Sequence, residues 1–65
     1  MKTDNYGNPI IDVYGNYELI KDNITGYYVN LIVGTYASGN PIREIIAKFS
    51  DENYAKLFFE ALKNQ

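Results

Sequence analysis

One stretch of this chain, FSDENYAKLFFEAL at residues 49–62, carries both a helix start signal and an amphipathic period, and it sets the terms for everything before it. Ser50 is placed to cap the helix, its hydroxyl accepting from a first-turn amide that has no partner inside the helix. Asp51 and Glu52 then put negative charge where the helix dipole favours it. Phe49 and Tyr54 have the spacing of a hydrophobic staple across that cap. At about 100° per residue, Tyr54, Leu57, Phe58, Ala61 and Leu62 share one face, with Ala55 and Phe59 extending it along one side. Glu52, Lys56, Glu60 and Lys63 gather opposite. The apolar arc is wide for a helix lying on a single surface, and two readings follow: a small sheet curls to bury both phenylalanines, or Phe59, at the rim, meets a second chain.

A lone amphipathic helix needs a partner layer, and the preceding residues read as antiparallel sheet. Residues 1–8, MKTDNYGN, are polar and predicted to be flexible. Pro9 can open a strand but not sit inside a central one, so residues 10–14 read as an edge-type strand. Gly15-Asn16 then offers a two-residue hairpin loop, glycine supplying positive φ at its first position, into a second strand at residues 17–21. Asp22-Asn23-Ile24-Thr25-Gly26 has the chemistry of a longer turn. Residues 27–36, YYVNLIVGTY, are dense in aromatic and β-branched side chains and form the strongest strand pattern of the chain.

Residues 41–49 are ambiguous by pattern. Ile42, Ile45, Ile46 and Phe49 have helical spacing behind an Asn40-Pro41 start signal, whereas a strand places Ile45, Ala47 and Phe49 on one face. The strand is favoured, because the strong strand before it otherwise has no partner beyond the Ser38-Gly39-Asn40 turn. The expected fold class is α+β: a small antiparallel meander of three to four strands over residues 9–49, with one C-terminal helix at residues 50–64 packed on one face, all in a single domain. Its core would join Val29, Leu31, Val33, Ile45, Ala47 and Phe49 to Tyr54, Leu57, Phe58, Ala61 and Leu62. The other sheet face would stand open, presenting Tyr28, Ile32, Ile42 and Ile46 beside Asn30, Glu44 and Lys48, a group contiguous enough on so small a protein to suggest a contact surface.

Composition narrows the chemistry. The 65 residues include no cysteine and no histidine, which removes disulfides, thiolate metal sites and the usual nucleophile-base pairs. No catalytic residue, metal ligand or cofactor site is expected, and the five glycines stand at turns or strand ends, not in a phosphate-binding pattern. Net charge is −2 with the six basic residues dispersed, so there is no strong electrostatic footprint for nucleic acid. No apolar run approaches the ~20 residues of a membrane span, and the first residues lack a signal-peptide core, so the chain reads as soluble and cytoplasmic. Abundant Asn, Ile, Tyr and Lys with a single Arg is the bias of an A/T-rich genome, such as that of a low-GC bacterium or its phage.

From residue 27 to residue 62, the hairpin, the aromatic strand end at Phe49, the Ser50 cap and the helix positions Ala55, Phe58 and Leu62 resemble the three-strand-plus-helix arm-binding domain of phage and transposon tyrosine integrases. That resemblance implies the fold. It also implies a nucleic-acid alternative, in which the open sheet face enters a groove and Lys21, Arg43 and Lys48 supply the contacts. The face here would offer Tyr28, Ile32, Glu44 and Ile46 with Lys48, where that family needs Arg, Lys and polar side chains. The favoured expectation is therefore a non-enzymatic protein-binding module, in the manner of a phage-encoded inhibitor of a host protein, using Tyr28, Ile32, Ile42, Ile46 and Phe59. Seven tyrosines suit such a surface, and self-association as a homodimer is the companion reading.

Overall fold

A computed structural model describes residues 2–65. Four strands, β1 (Ile10–Tyr14), β2 (Tyr17–Asp22), β3 (Gly26–Thr35) and β4 (Pro41–Phe49), form one antiparallel sheet in the order β1-β2-β3-β4, followed by a single helix, α1 (Glu52–Lys63). The meander and its C-terminal helix are those the sequence predicts, and residues 41–49 are a strand. Gly15 opens the β1–β2 hairpin at φ +58, so the two-residue loop works as its chemistry dictates. Asp22 closes the next turn by accepting from the Ile24 amide and the Thr25 hydroxyl.

The helix packs over β3 and β4, and the core consists of Leu19, Val29, Ala55, Phe59 and Leu62, flanked by Tyr17, Tyr27, Phe49 and Phe58. Two details differ from the periodicity reading. The N-cap is Asp51, not Ser50: it sits in extended backbone, and its carboxylate accepts from the Asn53 amide at 2.7 Å. A charged acceptor also answers the helix dipole better than a hydroxyl. With the cap moved by one residue the Phe49–Tyr54 staple is not made, and Phe49 instead packs against Phe58 as a tilted pair, ring centroids 5.3 Å apart.

The helix is also rotated from the expected phase by roughly one residue's turn, ~100°. The buried line runs through Ala55, Phe59 and Leu62, while Tyr54, Leu57 and Ala61, expected in the core, face outward. Phe59 is 1 % exposed, so the rim position predicted for it is corrected. It fills the centre of the core, with the Lys63 ammonium 5.4 Å from its ring centroid.

A β-bulge reassigns the sheet faces. Val29 pairs with Ala47 but Asn30 pairs with Ile45, leaving Ile46 as an extra residue on β4. One extra residue inverts the alternation beyond it. Ile45 therefore joins the face opposite the helix, and Glu44, opposite Leu31, joins the helix face. A second bulge leaves Val33 unpaired on β3, where it is exposed and not in the core.

Candidate functional site

The sheet face opposite the helix, expected to be open, is largely closed by residues 2–9. Thr3 bridges to Pro9, the Ile10 amide donates to the Lys2 carbonyl, and the Asp4 amide donates to the Asn8 carbonyl, so the segment doubles back as a short strap. Inside it, one carboxylate oxygen of Asp4 accepts from the amides of Tyr6 and Asn8, each at 3.0 Å, which is the local pattern that makes Asp a turn residue. The other oxygen accepts the hydroxyl proton of Tyr28, while the Asn8 side-chain amide donates to that hydroxyl at 3.0 Å. Tyr28 is 3 % exposed. Burial, and then the bond to Asp4, push its hydroxyl up to about 12.

A second clamp stands beside the first. Arg43 on β4 donates from Nε to Glu18 Oε1 at 2.6 Å and from Nη2 to Glu18 Oε2 at 3.2 Å, and its Nη1 donates to Asn5 Oδ1 at 2.6 Å. The planar fork suits this two-point contact, and Glu18 holds the guanidinium above its ordinary value. Beneath the strap Glu18, Ile20, Tyr28 and Asn30 are all buried. Among the described residues the Asn30 Oδ1 has no hydrogen-bond partner. Surface grooves of about 490 and 390 Å³ flank the strap, the first lined by Asp4, Asn5, Tyr36, Pro41 and Arg43, the second by Tyr6, Ile24, Tyr28, Ile45 and Lys48.

These contacts correct the expected contact surface. Tyr28 is buried under the strap, Ile32 and Ile42 are half-buried, Phe59 is in the core, and of the five only Ile46 is exposed, at 41 %. The cations of the nucleic-acid alternative do not converge. Arg43 is engaged by Glu18 and Asn5, Lys21 lies opposite Tyr27 on the helix face, and Lys48 lies opposite Tyr28 on the other. Among the described residues no group of three or more acidic, His or Cys side chains is placed to hold a metal ion, and no helix is long and apolar enough to cross a membrane.

The surface that sequence reasoning missed is on α1. Tyr54 is 66 % and Leu57 67 % exposed, and with Ala61 they form an uncharged stripe at i, i+3 and i+7. Its signal was present in the apolar arc, too wide for one sheet to cover. The bulk of such side chains in water is unfavourable unless something covers them. Ile46 lies on β4, the strand whose last residue, Phe49, packs against Phe58 of the helix.

No protein-family model matches the chain, and no curated protein or solved structure matches it.

Proposed function

We propose that this chain is a small non-enzymatic protein-binding module whose contact surface is the outer stripe of α1, Tyr54, Leu57 and Ala61, together with Ile46 of β4. The observation that carries this reading is the exposure of Tyr54 and Leu57 on a helix whose other apolar line, Ala55, Phe59 and Leu62, already satisfies the core. The helix thus has more apolar surface than its own fold uses. Tyrosine and leucine on a rigid helix supply contact area at low entropic cost, and a helix face presenting anchors at this spacing is a recurrent recognition mode. On the opposite sheet face, by contrast, Tyr28, Glu18 and Arg43 are engaged within the chain, by the strap and by one another.

A photo-crosslinking side chain placed in turn at positions 54, 57 and 61, and at the charged positions 56 and 60 as controls, tests this in the cell that makes the protein. Discrete adducts from the first set and none from the second are expected. No adducts, or equal adducts from both sets, would overturn it.

A further inference from the structure

The groove of about 390 Å³ between the strap and the β2–β3 turn gathers side chains that the fold itself does not use. Among the described residues the two most exposed large apolar side chains are Ile24, at 92 %, and Tyr6, at 76 %, and both line this groove. They stand on separate turns built by one device. Asp4 accepts from the Tyr6 amide at 3.0 Å, and Asp22 accepts from the Ile24 amide at 2.9 Å, each carboxylate holding the amide two residues on. That bond fixes the local backbone, so each apolar residue is carried by a braced turn. One apolar side chain at a turn tip needs no explanation. Two turns delivering theirs to the same groove make two apolar walls.

The floor between the walls is partly apolar and carries one unspent charge. Ile45 of β4 lines it half-exposed, beside Tyr28, whose hydroxyl is already bonded to Asp4 and Asn8. Lys48, opposite Tyr28 in the β3–β4 register, is exposed and belongs to no ion pair among the described residues. Asp22 also lines the groove. Its Oδ1 accepts from the Ile24 amide at 2.9 Å and its Oδ2 from the Thr25 hydroxyl at 2.6 Å, so its charge is answered by donors within its own turn.

We infer that this groove binds a small molecule with an apolar body and a single anionic end, an aryl or alkyl carboxylate. The body lies between Tyr6 and Ile24 over Ile45, and the carboxylate meets the Lys48 ammonium. Size and chemistry select that class. The volume stands at the lower end of small-molecule sites, with room for a ring or a short chain. Apolar walls with a few polar groups that fix orientation are the usual composition of such sites, and the compact ammonium of Lys48 is the group that fixes it here. The groove is on the sheet face opposite α1, so this site is separate from the proposed protein contact and neither depends on the other. Because the ion pair is open to water, it contributes only ~2–5-fold to binding, and the apolar walls carry the rest.

Titration of the isotope-labelled chain with hydrocinnamate, a phenyl ring on a short carboxylate chain, tests the site by amide chemical shifts. Its neutral amide, hydrocinnamamide, is the uncharged control. Saturable shifts at residues 6, 24, 45 and 48 are expected, with a dissociation constant on the order of 1 mM and the neutral amide bound ~2–5-fold more weakly. Lys48→Gln should remove the difference between the two ligands, while Tyr6→Ser and Ile24→Ser should weaken both by ~5-fold or more. Leu57→Ser, on α1, should change neither. All four positions are exposed, and circular dichroism verifies that each variant is folded. The inference is overturned by the absence of saturable shifts up to ~10 mM, by shifts centred on α1, or by a neutral amide bound as tightly as the acid.

Discussion

Replacing Asp4 by alanine removes the three hydrogen bonds that close the strap: those from the Tyr6 and Asn8 amides and that from the Tyr28 hydroxyl. The two amides can turn to water once the strap loosens, but the Tyr28 hydroxyl is left buried with a donated bond from Asn8 and no acceptor for its own proton. Leaving one buried group unsatisfied costs about 1–3 kcal/mol, and the loss of the two amide bonds adds about 1 kcal/mol, so the expected destabilisation is about 2–4 kcal/mol. At ~0.05–0.15 kcal/mol per residue a chain of this size has only ~3–10 kcal/mol in all, so the substitution removes a large share. Urea unfolding followed by far-UV circular dichroism measures it, with Asp4→Asn as the graded comparison: it keeps an acceptor for the amides, loses the one for Tyr28, and should fall about 1–2 kcal/mol. A double-mutant cycle with Tyr28→Phe should recover ~1 kcal/mol or more of coupling. If Asp4→Ala shifts stability by less than ~0.5 kcal/mol, the value of an ordinary surface change, the strap does not belong to the cooperative fold and the argument for a closed face fails.

Three further outcomes follow from the same packing. Tyr28 holds its proton to about 12 when folded but releases it near ~10 when unfolded, so the stability it contributes is fully present below ~10 and is lost as pH rises through about 12, by ~2–3 kcal/mol. Tyr27 shifts in the same direction through burial and Glu52, and an alkaline limb of the unfolding midpoint that is identical in Tyr28→Phe would contradict the assignment to Tyr28. Gly26 sits at φ +109 with room denied by the neighbouring turn: a Cβ there would lie 2.5 Å from the Phe49 carbonyl oxygen and 3.0 Å from Ser50 Cα. Gly26→Ala should destabilise by at least ~2 kcal/mol in the same urea assay, and a neutral effect would mean the β3 start is built differently. Finally, Phe59→Ala should cost ~3–5 kcal/mol and Leu57→Ala less than ~0.5 kcal/mol, the reverse of what the helix phase expected from periodicity would give.

That reversal shows where the sequence was legible and where it was not. The hairpin at Gly15-Asn16, the long aromatic strand, the strand at residues 41–49 and the capped helix were readable because each is dictated locally, by φ, by side-chain branching or by the orphan amides of a helix end. The phase of the helix was not, since apolar residues cover so much of its circumference that period alone leaves two docking angles open. Which β4 residues face the helix depended on Ile46 standing as a bulge, a one-residue event that inverts every side chain beyond it and has no signature in the alternation itself. The strap was hidden for a different reason. Asp4, Asn5 and Asn8 look like solvated loop residues, and their value arises only when Tyr28, Glu18 and Arg43 are brought under them from strands far away in sequence. With that face occupied, Tyr54 and Leu57 of α1 and Ile46 of β4 are among the apolar side chains left exposed, and the proposed contact site moves to them.

Residue-resolved amide hydrogen exchange on the free chain tests this closure most directly. The Asp4, Asn8 and Ile10 amides, which donate to the Asn8 carbonyl, the Asp4 carboxylate and the Lys2 carbonyl, should be protected well above free-chain rates, while the Asn53 amide of the exposed cap frays faster than the buried centre of β3. Free-chain exchange at positions 4, 8 and 10 alongside a protected β2–β3 ladder would mean that the strap stands open, and would return Tyr28 and Ile32 to the surface as the contact face.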